Sequence, residues 1–165
     1  MIKTLIVIPA LNPPVALIDY VAKLIESGLE NILIVNDGSR PEFENIFERL
    51  RDEYGCQILT HAKNLGKGRA LKNAFNHFLT MPNVEEYNGI VTADSDGQHR
   101  VEDVLSMVYS ISNNSDSLIL GCRDFDSENV PPKSEFGNKL TKLVFKLLYG
   151  RKITDTQTGL RGFPK

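Results

Sequence analysis

The apolar run Ile90-Val91-Thr92-Ala93 ends in Asp94-Ser95-Asp96-Gly97-Gln98-His99. On extended backbone, residues two apart point to the same side. Asp94 and Asp96 can therefore converge on one hard cation, with Gln98 adding a third oxygen from the next step of the turn. Mg²⁺ or Mn²⁺ held in this way takes its remaining ligands from water and substrate phosphates. Ordinary surface loops also carry Asp-x-Asp pairs, so the placement carries the argument: the pair sits at the carboxyl end of an apolar strand. His99 reads either as a further ligand or as a structural histidine beside the turn.

Other polar clusters recur at equivalent places. Asn12 follows the apolar run Thr4–Pro9, and Asn36-Asp37-Gly38-Ser39 follows Asn31–Val35. The Asp37 carboxylate can accept from an imide N–H or a ribose hydroxyl, or simply belong to a turn with a capping Ser or Asp. Asn64-Leu65-Gly66-Lys67-Gly68 lacks the Walker spacing. Its glycines let backbone N–H groups approach an anion at a helix start, the alternative being a flexible basic loop. Arg123 follows Ser117–Gly121 and can clamp a phosphate or pair with Asp124 or Asp126. His61 and His77 carry no signal.

Those clusters need elements to hold them, and the pattern supplies alternating strands and helices. Helices are expected over Val15–Ser27, from Pro41 to about Tyr54, and over Arg69–Thr80, Val101–Ile111 and Glu135–Tyr149. Strands are expected over Thr4–Pro9, Asn31–Val35, Gln57–Thr60, Gly89–Ala93 and Ser117–Gly121. Near-continuous apolar strands alternating with helices predict an α/β fold, a mostly parallel sheet with helices on both faces. Ligands in such sheets bind beyond the carboxyl ends of the strands, where all five polar clusters fall.

The 165 residues suffice for one domain with a real core. Cys56 and Cys122 have no partner pattern and no zinc spacing, and read as reduced structural thiols of a cytosolic protein. The amino terminus enters a strand directly, which predicts no signal peptide, and no run of eighteen apolar residues predicts a membrane span. The net charge of −2 hides an asymmetry: residues 1–129 hold 11 basic and 19 acidic side chains, residues 130–165 hold 8 and 2. A +6 tail on a −8 body fits an anionic partner such as phospholipid, or a solvated basic helix face. Nucleic acid is the weakest partner class, because no recognition motif or aromatic-interleaved basic stripe is present.

Taken together, the motifs resemble the family 2 glycosyltransferases, with their nucleotide-sugar-binding GT-A fold. The resemblance is carried by Val7-Ile8-Pro9-Ala10-Leu11-Asn12, Val35-Asn36-Asp37-Gly38-Ser39, Asn64-Leu65-Gly66-Lys67-Gly68 and Ala93-Asp94-Ser95-Asp96-Gly97-Gln98-His99, in the family's order. Gly121-Cys122-Arg123, Gly137-Asn138 and Asp155-Thr156-Gln157-Thr158-Gly159-Leu160-Arg161 are similar to the polyprenyl-phosphate branch that includes dolichyl-phosphate mannose synthases. The chain departs from the family at Pro13, where Glu is usual, and at Asn36, where the first Asp of Asp-Asp-Gly-Ser is usual.

By that resemblance, Asp37 contacts the nucleobase or ribose of a UDP- or GDP-sugar, and Asp94, Asp96 and Gln98 hold Mg²⁺ or Mn²⁺ on the diphosphate. Pro9, Asn12, Asn64, Gly66, Lys67, Asp94 and Ser95 complete the donor site. Arg123, with Lys133 and Ser134, meets the acceptor phosphate, and Asp96, Arg123 and Asp155 take part in catalysis. The expected domain is single, with residues 1–122 its nucleotide-sugar and metal part and 123–165 the start of an incomplete acceptor side. It implies an enzyme of envelope biogenesis at the cytoplasmic face of a membrane, in peripheral contact with it.

The acceptor follows partly from chemistry. A hydroxyl acceptor needs a base to take its proton, and hydroxyl-transferring members use a late Glu-Asp pair. Here Thr154-Asp155-Thr156-Gln157-Thr158 has no such pair, although Asp155 can still be a base. A phosphate monoester, with its second pKa near 6, needs no base, only positive charge. The expected activity is therefore inverting transfer to an undecaprenyl- or dolichyl-type phosphate. Transfer to a sugar hydroxyl and a non-catalytic nucleotide-binding module are the alternatives.

Overall fold

In the computed structural model, residues 3–121 and 158–165 are described. The chain runs β1 (Lys3–Ala10), α1 (Ala16–Glu26), β2 (Ile32–Asn36), α2 (Glu44–Asp52) after a 3-10 turn at Pro41–Phe43, β3 (Gln57–Thr60) and α3 (Lys67–Leu79). After a second 3-10 turn at Val84–Glu86 come β4 (Tyr87–Thr92), α4 (Val101–Asn113), β5 (Ile119–Leu120) and β6 (Arg161–Pro164). The sheet order is β3-β2-β1-β4-β6-β5. β1 to β4 are mutually parallel, and β6 runs antiparallel between β4 and β5.

Two-residue alternation explains why the central strands are apolar throughout. Ile6, Ile8, Ile32, Ile34 and Val91 face a core layer under α1, α2 and α4. Leu5, Val7, Leu33, Val35 and Ile90 face the opposite layer, under α3. Helix α3 presents Ala70, Ala74 and Phe78, an i, i+4, i+8 stripe whose small members let it lie close to the sheet. Helix α1 ends where Gly28 N–H bonds to the Ile25 carbonyl and Leu29 N–H to the Leu24 carbonyl, a Schellman pattern with both leucines buried. Cys56 is free and buried, and burial pushes its thiol up to about 11, so it is an inert packing residue.

Two expectations need correction, and one strand was not expected at all. Helix α3 begins at Lys67, two residues before Arg69, because Gly66 already supplies the carbonyl for the first turn. The fifth strand contracts to Ile119–Leu120 and does not neighbour β4. β6 takes that place, pairing Thr92 with Arg161 and Val91 with Gly162. Arg-Gly-Phe-Pro has no strand-like alternation, and its extended form comes from the gap between β4 and β5. The Glu135–Tyr149 helix and Cys122 lie outside the described residues. Among the described residues, no helix is long and apolar enough to cross a membrane.

Candidate active site

The parallel ladders bring the polar clusters to one edge. The ladders extend past the strands: Asp37 N–H bonds to the Ala10 carbonyl at 2.9 Å, and Ala93 N–H to the Val7 carbonyl at 3.0 Å. Asp37 and Asp94 thus flank the end of β1 on either side. Between them lies an open cleft of about 420 Å³. Pro9, Asp37, Asn64, Gly66 and Lys67 line it on one side, and Asp94, Ser95 and Asp96 on the other. Ala10 and Leu11 also line it, and neither was anticipated.

One wall is a clasp between loops. Asn12 N–H donates to Ser39 Oγ at 2.9 Å, Arg40 N–H to Asn12 Oδ1 at 3.0 Å, and Ser39 N–H to Asn36 Oδ1 at 2.9 Å. Asn12 adopts φ +49°, a conformation Asn tolerates better than most residues. Its side chain is spent on this clasp, and it is not among the residues lining the cleft. Asn36 needs only an oxygen acceptor for its turn, which explains how an amide can stand where the family has a carboxylate.

Asp37 is almost fully buried, and its oxygens are engaged by the protein. Oδ1 lies 2.7 Å from His61 Nδ1 and accepts from Leu65 N–H at 3.0 Å, while Oδ2 accepts from Gly66 N–H at 2.8 Å. Asn73 Nδ2 lies 2.9 Å from His61 Nε2 and completes the chain. Burial alone would raise the Asp37 carboxyl, but the hydrogen bonds from His61, Leu65 and Gly66 outweigh it and hold its pKa below the usual carboxylate value. The first task of Asp37 is therefore to shape the 64–66 loop. A carboxylate offers about four lone-pair sites, which leaves one for a ligand. Gly38 follows at φ +72°, its Cα packed on the Lys63–Asn64 backbone so closely that a Cβ would lie 2.2 Å from the Lys63 carbonyl carbon.

His61 is the residue that sequence reasoning missed. It is 24 positions from Asp37, and only the alignment of β2 with β3, where His61 N–H bonds to the Asn36 carbonyl, brings the two together.

The Asp94–Asp96 segment departs from the extended form expected of it. Asp94 continues the line of β4, but Ser95 and Asp96 enter a turn, and Asp96 Oδ1 accepts from Gln98 N–H at 3.1 Å. Both carboxylates still line the cleft, while Gln98 is exposed and does not. Among the described residues, no three His, Cys, Asp or Glu side chains cluster as a self-sufficient metal cage. Asp94 carries an ion pair from Lys67 Nζ, and His99 Nε2 stands 3.6 Å from Asp94 Oδ2, beyond hydrogen-bond reach. Beside His99 and Lys67, and against the opposing effect of burial, the Asp94 carboxyl is held down at about 2. Tyr20, from α1, packs against Gly97 beneath the turn. Its hydroxyl and His99 Nε2 are buried with no partner among the described residues. Burial, then the charges of Asp96 and Asp94, push the Tyr20 hydroxyl upward.

The returning segment closes over Asp94. Thr92 Oγ1 donates to the Gly159 carbonyl at 2.8 Å, and Thr158 Oγ1 donates to the Gly121 carbonyl. A Cβ on Gly159 would lie 2.1 Å from Asp94 Oδ2, so the carboxylate rests on bare backbone. Arg123, Lys133, Ser134 and Asp155 lie outside the described residues.

The model of the family described as glycosyl transferase family 2 matches residues 5–163, nearly the whole chain. This chain belongs to that family. It is 30% identical over 162 residues to an uncharacterized protein of Methanocaldococcus jannaschii, covering 96% of this chain and 63% of that one. It is 29% identical over 180 residues to UDP-N-acetylglucosamine–dolichyl-phosphate N-acetylglucosaminyltransferase of Methanococcus voltae, covering 97% and 68%. Among solved structures, glucosyl-3-phosphoglycerate synthase of Mycobacterium tuberculosis, in complex with Mn²⁺, UDP and phosphoglyceric acid, superposes with TM-score 0.68 at 15% identity, over 98% of this chain and 55% of that one. A mannosyltransferase of Pyrobaculum calidifontis in complex with GDP-mannose and Mn²⁺ gives TM-score 0.55 at 15% identity, over 74% and 35%. The family 2 chain thus spans roughly half to two-thirds of the relatives and of the synthase. The fold is the GT-A fold of nucleotide-sugar glycosyltransferases.

Proposed function

We propose that this domain transfers a sugar, with inversion, from a nucleoside-diphosphate sugar to a polyprenyl phosphate. The observation that carries the reading is the juxtaposition, across one cleft, of Asp94 and Asp96 with Lys67 at the start of α3. The fit to a divalent ion rests on the donor set. Two carboxylates at a solvent-accessible turn suit Mg²⁺ or Mn²⁺, which keep water and substrate phosphates as their other ligands. Asp94 and Asp96 would hold it, and Gln98, which lies outside the cleft lining, would add an oxygen only by turning inward; when bound the ion would act as a Lewis acid on the diphosphate.

The chain's own residues would do the rest. Lys67, at the start of α3, lines the cleft where a diphosphate would lie, its ammonium beside Asp94. Leu11, half exposed, offers an apolar surface beside Pro9 for the nucleoside, and Asp37 keeps one acceptor site for it. Negative charge that develops on the leaving diphosphate would be met by Lys67 and the helix terminus. In-line attack from the opposite face would invert the anomeric centre.

Support for a phosphate acceptor is the dolichyl-phosphate specificity in the name of the Methanococcus voltae transferase, together with the basic excess of residues 130–165. Arg123, Lys133 and Ser134 are proposed for that phosphate, with Asp155 in reserve as a base. The same basic excess supports peripheral contact with an anionic membrane, at its cytoplasmic face.

The test supplies radiolabelled UDP-N-acetylglucosamine or GDP-mannose, Mn²⁺, and either a polyprenyl phosphate or a polyprenyl-diphosphate-linked sugar. The proposal expects label in the first acceptor. Label only in the second would replace it with hydroxyl transfer and make Asp155 the residue to examine as base.

A further inference from the structure

Asp94 is already neutralised in this structure, by a lysine in a place that does not favour one. Lys67 is the first residue of α3, at the positive end of the helix dipole, where anions are stabilised and cations are not. Its ammonium is drawn to Asp94 Oδ1, and both side chains remain accessible to solvent, at 54% and 29%. The pair closes across the cleft and involves one of the two carboxylates that would bind the metal.

A divalent ion cannot take Asp94 without competing with that ammonium. A diphosphate arriving at the start of α3 would give Lys67 a new anionic partner and the helix terminus a preferred charge. We propose that Lys67 is an exchangeable counter-ion: it neutralises Asp94 in the free protein and passes to the diphosphate oxygens when the metal takes the carboxylate. This inference rests on the metal–diphosphate reading above and deepens it. Its consequence is a coupling. Metal and diphosphate each remove a partner from the Lys67–Asp94 pair, so each makes room for the other, and by linkage the coupling is reciprocal.

The experiment measures Mn²⁺ binding by the electron paramagnetic resonance of free Mn²⁺, alone and with a fixed sub-saturating concentration of UDP corrected by a protein-free Mn²⁺–UDP titration, for the wild type, Lys67→Met, Arg69→Met and Asp94→Asn. Arg69→Met removes an exposed positive charge from the same helix. Lys67 is exposed, so the fold should tolerate its loss, and thermal unfolding checks this. The exchange predicts effects of opposite sign. Lys67→Met should bind Mn²⁺ alone up to about fivefold more tightly than the wild type, yet bind Mn²⁺ with UDP less tightly.

A lysine that only grips the diphosphate would weaken the second measurement and leave the first unchanged, which overturns the exchange. An equal gain from Arg69→Met also overturns it, since the effect would then be general charge. A wild type that takes no Mn²⁺ even with UDP, and matches Asp94→Asn, would overturn the metal reading itself and the exchange with it.

Discussion

Gly159→Ala separates the architecture of the site from the stability of the fold. The added Cβ would lie 2.1 Å from Asp94 Oδ2, 2.5 Å from Cγ and 2.6 Å from Oδ1, whereas ordinary contact begins near 3.4 Å. One partner must move by about 1 Å. The backbone is held by Thr92 Oγ1 on the Gly159 carbonyl, by Thr158 on Gly121 and by the buried Leu160. Asp94 is the partner free to yield, at 29% side-chain exposure. An off-rotamer carboxylate costs about 0.5–1.5 kcal/mol, and loss of the partly exposed Lys67 pair adds up to about 1 kcal/mol. Global stability in urea should therefore fall by only about 1–2 kcal/mol. Metal coordination tolerates displacements of about 0.2 Å, and loss of support behind a ligand typically costs about 10- to 100-fold in affinity. Calorimetric titration of Mn²⁺ in the presence of UDP should show a loss of that size. Wild-type affinity in a cooperatively folded Gly159→Ala protein would refute the reasoning, because Asp94 would then not be a ligand.

Other outcomes follow from the same geometry. Asp37→Asn should destabilise by about 1–3 kcal/mol, since an amide N–H₂ must face backbone donors now served by a carboxylate. The native carboxyl is depressed, so its contribution is complete above the unfolded value near 3.9 and fades as pH falls through the lower native value; urea midpoints between pH 6 and 2 should show a shallower acid slope in the variant. Gly38→Ala should cost more than about 2 kcal/mol, because left-handed backbone disfavours a side chain and the methyl meets immovable Lys63–Asn64 backbone; denaturant unfolding reads this directly. Arg123→Lys, which keeps the charge and loses the bidentate fork, should reduce use of a polyprenyl-phosphate acceptor while nucleotide affinity, by calorimetry, stays unchanged.

The parallel sheet and the cleft at its carboxyl edge were legible because two kinds of signal agreed. Leu5–Ile8 and Ile32–Val35 are apolar on both faces, which requires a sheet covered twice, and a polar cluster follows each. Less legible were features created by tertiary proximity. β6 has a composition that does not propose a strand, and only its pairing with β4 and β5 makes it one. The role of His61 depends on adjacent strand ends rather than on spacing. Asp37 and Asn12 were read as ligand contacts because their types allow it. The structure shows both engaged first in holding loops together, since buried polar groups at a site edge need protein partners before they can meet a ligand. The same-side argument for Asp94 and Asp96 assumed extended backbone through Asp96, whereas the chain turns at Ser95.

The most direct measurement of the central claim is calorimetric titration of UDP-N-acetylglucosamine and GDP-mannose into the wild-type protein, once with Mn²⁺ and once with EDTA, repeated for Asp96→Ala. One nucleotide sugar should bind with Mn²⁺ and lose most of its affinity in EDTA, and Asp96→Ala should reproduce the EDTA result with Mn²⁺ present. Equal affinity in Mn²⁺ and EDTA, or an Asp96→Ala protein indistinguishable from the wild type, would contradict the account.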